Sequence, residues 1–116
     1  MLQTFMDDFN VINIATDFST TPSGRDDGIK FRNFVMTLLE NSKHLDIVLD
    51  GTEGYSAAFL EEGFGGLVRD GRWKYSFLLD KLTIKYFDPA YENYAILSYK
   101  YMFEASKTDD DFRRIL

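Results

Sequence analysis

Apolar and polar residues alternate from Phe9 to Ala15 (FNVINIA), which predicts a first strand. A polar stretch, Thr16 to Asp27, follows with Pro22, Gly24 and the Asp26-Asp27-Gly28 turn signal, and it reads as a loop. From Ile29 to Lys43 the apolar residues Phe31, Phe34, Val35, Leu38 and Leu39 fall at helical spacing, and His44 closes the segment. Leu45 to Leu49 (LDIVL) is rich in branched residues and predicts a buried strand. Asp50 to Gly54 is a turn. A second helix is expected from about Ser56 to Val68, with Phe59, Leu60, Phe64, Leu67 and Val68 as its apolar stripe.

Ser56 suits the N-cap of that helix, because its hydroxyl can accept from an otherwise unpaired first-turn amide. Asp70-Gly71 supplies its stop. Trp73 to Leu79 predicts a short helix, and Leu82 to Phe87 (LTIKYF) alternates as a strand. Asp88 and Pro89 then stand as N-cap and first residue of a third long helix. Its broad apolar face includes Tyr91, Tyr94, Ala95, Tyr101, Met102 and Ala105. The tail from Lys107 to Leu116 reads as a solvated end. Strands alternating with helices imply an α/β fold, here a small mixed β-sheet covered by helices. The expected organisation is an N-terminal segment (1–8), one domain (9–106) and the tail.

Composition narrows the function classes. At 116 residues the chain is one domain's worth, and aromatic residues at 16% supply the bulk for a core without staples. The absence of cysteine excludes disulfides and thiolate metal sites. A net charge of −6 lacks the basic surface that nucleic acid or anionic lipid requires. No apolar run reaches the ~20 residues that span a bilayer, and the first eight residues lack the basic and apolar regions of a signal peptide. A cytoplasmic location is the expectation.

The chain offers little for catalysis. Its single histidine, His44, stands at the expected helix end, where an imidazole suits the helix dipole better than general-base work. Asp50, Glu53, Glu61 and Glu62 lack the spacing of a calcium loop, so neither metal nor cofactor is expected. Gly63-Phe64-Gly65-Gly66 lies inside a helical pattern rather than between a strand and a helix start, which argues against a phosphate loop. Each glycine weakens a helix by up to ~1 kcal/mol relative to alanine. Three of them call either for tight internal packing or for a contact surface. Ser23, Gly24 and Arg25 lie in a long loop, where the Arg25 fork either holds an anion or is simply solvated.

The segment Asp46 to Leu67 (DIVLDGTEGYSAAFLEEGFGGL) resembles the STAS-like domain family of unknown function, which is similar to the STAS domains of anti-sigma-factor antagonists. Ile12 to Ala15, Asp17 to Ser19, Gly24-Arg25 and Phe31-Arg32 are similar to its upstream region. The resemblance spans residues 9 to 105. It implies a non-enzymatic regulatory module that docks onto a protein, with a histidine-kinase-like ATPase as the partner class. Such ATPases phosphorylate a serine at the start of a helix, and the added charge breaks the contact. The corresponding residues here are Ala57-Ala58-Phe59-Leu60, so Ala58 stands at the acceptor position without a hydroxyl, and Ser56 stands where the motif has its acid. The resemblance implies a partner surface of Tyr55, Ser56, Ala57, Ala58, Glu61, Glu62, Gly63, Gly65 and Gly66. The alternative is a sensor in which the 16–28 loop, through Ser23, Gly24 and Arg25, holds an anionic metabolite.

Overall fold

A computed structural model describes residues 9–71 and 73–115, with side chains over 10–71 and 73–107. Three strands form one sheet in the order β1 (Phe9–Asn13), β2 (His44–Val48), β3 (Leu82–Lys85). Both pairings are parallel, not mixed, with Ile12 opposite Ile47 and Ile47 opposite Ile84. A parallel sheet follows from the chain itself, because helical crossovers and no hairpin separate the strands.

β1 and β3 are shorter than their alternation suggests, each cut by a specific hydrogen bond, whereas β2 keeps its expected five residues and starts one position earlier, at His44. β1 stops at Asn13, whose Oδ1 accepts from Thr16 N (3.0 Å) and caps a single-turn helix, α1 (Ile14–Asp17). β3 stops at Lys85, because the Asp50 carboxylate captures the amides of Phe87 (3.0 Å) and Asp88 (2.8 Å). Asp88 in turn accepts from Ala90 N (2.9 Å), as its capping position predicts. It opens a 3-10 turn, Pro89–Tyr91, that leads into α6 (Glu92–Ile115). α6 therefore runs through the expected tail boundary at Lys107. The 1–8 segment lies outside the described residues, as do the tail's side chains beyond Lys107.

Helix α2 (Gly24–Glu40) begins five residues before the expected Ile29. Its polar first turn carries Asp26 and Asp27, which suit the positive end of the helix dipole. Helix α2 also ends at Glu40, so His44 sits in β2 and caps nothing. The second helical run matches expectation closely: α3 (Ala57–Leu60), a π-helical turn (Glu61–Gly65) and α4 (Gly66–Arg69). Ser56 is its N-cap, accepting from Phe59 N (3.1 Å). α5 (Tyr75–Lys81) stands where a short helix was expected.

The glycines of the π turn are buried between neighbouring helices. A Cβ on Gly63 would stand 3.1 Å from the Phe31 ring on α2, and one on Gly65 would stand 3.4 Å from the Tyr101 carbonyl oxygen on α6. From the other side, Gly28 of α2 fits against Glu62 and Gly63. Close helix packing is thus what these glycines serve. Phe31, Phe59 and Phe64 then fill the core with Ile47, Leu45 and Met102. On the β3 edge, Tyr99 of α6 uses its hydroxyl to accept from Ile84 N (2.9 Å), which occupies one amide of an edge strand.

Candidate functional site

Ligand sites in open parallel sheets gather where the carboxyl ends of the strands release their loops. Here three loops meet at that edge. The β1 loop is pinned by Glu53 N donating to Thr20 O (2.9 Å) and Asn13 Nδ2 donating to Asp50 O (3.0 Å). The β2 loop, residues 49–56, is tied by tyrosines. Tyr55 donates to Leu49 O (2.6 Å), Tyr91 donates to Thr52 O (2.6 Å), and Gly51 N donates to Tyr91 Oη (3.2 Å). Gly51 (φ 99°) and Gly54 (φ 115°) supply the left-handed backbone that this loop needs. A Cβ on Gly54 would also strike the Tyr94 hydroxyl at 2.9 Å.

Two shallow clefts open on this edge and share Glu53, Gly54 and Tyr94. One, of ≈ 340 Å³, is walled by Thr21, Pro22, Ser23, Tyr55 and Ser56. The other, of ≈ 250 Å³, is walled by Thr52, Asp88, Ala90 and Tyr91. The rings of Tyr55 and Tyr94 meet edge-on at 5.2 Å, and Tyr91 lies 6.0 Å from Tyr94. Burial pushes the Tyr55 hydroxyl well above the ordinary tyrosine value, so it serves as a neutral donor.

The residues expected to form a partner surface divide sharply. Ala57 and Ala58 are exposed at the edge, beside the first cleft. Ser56 is half-buried, and its Oγ accepts from Gly24 N (2.9 Å) as well as from Phe59 N. Tyr55 is buried in the floor. Glu61 is partly exposed and pairs with Arg69 at 2.6 Å. Glu62, Gly63, Gly65 and Gly66 are buried within the helical layer, so in this conformation they offer no surface to a partner. Ser23 lines the cleft, and Gly24 is spent on Ser56. Arg25 pairs with Glu62 through Nε (Nε–Oε1 3.3 Å), while its side chain remains 72% exposed. Sequence reasoning passed over Glu53, Asp88, Tyr91 and Tyr94 as site residues. Their common signal is position: each follows the carboxyl end of a strand.

Two other clusters lie away from the edge. The Glu62 carboxylate, 8% exposed, meets Arg32 at 3.1 Å and Arg69 at 3.2 Å besides Arg25. On the face of the sheet turned away from the aromatic core, Asp46 is buried against Lys85 Nζ (2.6 Å) and His44 Nε2 (3.3 Å). The His44 ring also contacts Thr83 Oγ1 (2.9 Å) and Asp80 O (3.1 Å). Among the described residues no group of three or more His, Asp or Glu is placed to hold a metal ion, and no helix is long and apolar enough to cross a membrane. No family model, no curated protein and no solved structure matches the chain.

Proposed function

We propose that this chain is a non-enzymatic docking module of the STAS-like kind, which binds a regulatory protein through the Tyr55–Ala58 turn and the adjoining Glu61. One observation carries the reading. Ala57 and Ala58 are exposed on a helical turn that Ser56 locks in place by accepting two amide hydrogens, one from its own helix and one from α2. A small, apolar, preorganised surface loses little entropy when a partner covers it. The resemblance of residues 46–67 supplies the partner class, a histidine-kinase-like ATPase. Because position 58 lacks a hydroxyl, the contact is not switched by phosphate there.

The test is an affinity measurement between the purified chain and a histidine-kinase-like ATPase from the same genome. Ala58→Glu places a charge on the surface without touching the core, so affinity should drop at least about tenfold, the equivalent of ~1.4 kcal/mol. The thermal midpoint should stay where it is. Equal affinity for the variant and the original chain would remove this surface from the reading.

A further inference from the structure

The paired clefts beside the docking turn carry a chemistry of their own. Their walls hold two carboxylates, Glu53 and Asp88, both on exposed residues, and three tyrosine rings, and neither cleft is lined by lysine, arginine or histidine. Asp88 already caps Ala90 N through Oδ1. The Glu53 carboxylate has no hydrogen bond or ion pair among the described residues, and Glu53 lines both clefts. The edge is rigid on both flanks. Asp50 fixes the 87–88 backbone, and Tyr91 fixes the 51–52 backbone from its hydroxyl.

We propose that these clefts receive an arginine side chain from a basic segment of a partner protein. Charge complementarity selects a cation, since the walls are acidic and the chain carries −6. The planar guanidinium fits better than a lysine ammonium, because it can stack on a tyrosine face while it donates to a carboxylate. A polypeptide, rather than a free amine, is favoured by continuity. The two clefts adjoin through Glu53, Gly54 and Tyr94, and the exposed Phe87 (76%) stands next to Asp88 on the clamped turn. One small cation would leave most of that track uncovered. The identity of the partner rests on the docking reading above, whereas the preference for arginine rests on the clefts alone.

The experiment uses the full chain, isotope-labelled, titrated with acetyl-Gly-Arg-Gly-amide and with the same peptide carrying citrulline, which keeps the shape and removes the charge. The arginine peptide should shift the amides of 51–56 and 90–94, and the citrulline peptide should not. A double variant, Glu53→Gln with Asp88→Asn, removes both charges while asparagine retains the helix-capping oxygen. It should weaken the arginine peptide about tenfold or more, and added salt should weaken binding to the original chain. Equal shifts with citrulline, unchanged affinity in the double variant, or shifts located elsewhere would overturn the proposal. So would free agmatine binding more tightly than the peptide, which would make a small amine the occupant. The ATPase assay separates the two readings. If Ala58→Glu weakens the partner and the double variant does not, the docking turn stands and the arginine cleft falls. If the peptide binds as expected and Ala58→Glu changes nothing, the cleft stands and the docking turn falls.

Discussion

Glu62 is buried inside the helical layer, where three guanidinium groups reach its two oxygens at 3.1–3.3 Å. Arg32 is itself largely buried, so its lost partner could not be replaced fully by water. Glu61, one residue earlier, makes a shorter bond to Arg69, yet both side chains are about two-fifths exposed (43% and 38%). Exposed pairs of that kind contribute ~0–1 kcal/mol. Denaturant titration should therefore rank the two carboxylates against their distances: Glu62→Gln costs about 1.5–3 kcal/mol, and Glu61→Gln less than ~1 kcal/mol. Equal losses would show that burial does not govern this network. Tyr55 gives a second residue-level expectation. Burial raises its folded-state value above the ordinary tyrosine value of about 10 that the unfolded chain shows. A raised value means that the folded state holds its proton more tightly, so this contribution is complete below pH ~10 and is lost as pH climbs through the folded value. Thermal midpoints should accordingly fall above pH ~10, and Tyr55→Phe, which cannot ionise, should flatten that fall. An equally steep alkaline decline in the variant would mean that other groups drive it.

The elements were legible wherever an apolar period met a capping residue. Ser56 and Asp88 both cap as their side chains predict, and the strands at β2 and β3 fall within two residues of their expected segments. Legibility failed where a tertiary bond overruled local pattern. Nothing in the sequence of LTIKYF announces that Asp50, 37 residues upstream of Phe87, will end the strand. The start of α2 was missed for another reason. Its first turn points away from the core, so it lacks the apolar spacing that marks the remainder. Gly28 looked like a turn residue and is instead a contact point, where a Cβ would lie 2.8 Å from the Glu62 Cβ and 3.0 Å from the Phe59 carbonyl. Neither neighbour is the free end of a flexible chain. Gly28→Ala should cost about 1–3 kcal/mol by forcing α2 off the π turn, despite alanine's better helix propensity. A stabilised variant, read from the urea midpoint, would mean that the two helices can part without loss. The edge clefts were invisible at this scale, because Glu53 and Asp88 come from separate loops, Tyr94 comes from helix α6, and the three share no motif.

At the scale of the whole molecule, the strand order β1-β2-β3 dictates where the helices go. Moving one strand in the same direction twice, through right-handed crossovers, lays both connections on one face of the sheet. Ile12, Ile47 and Ile84 pair across that face and join the aromatic core. The alternate residues Val11, Asp46 and Thr83 pair across the other. That face holds an ion pair at its centre and Val11, 58% exposed, at its edge. The two faces therefore differ in what a truncation removes. Ile47→Ala empties a fully buried site bounded by strands on both sides, and losses of about 2–5 kcal/mol attend such cavities. Val11→Ala removes carbon that is already mostly in solvent, so its cost should stay within ~0.5 kcal/mol. Comparing the two by denaturant titration tests the topology itself. Had the strands been ordered so that the crossovers fell on opposite faces, both faces would be covered by helices. The two truncations would then cost similar amounts. A loss at Val11 that matched the loss at Ile47 would contradict a sheet packed by helices on one side.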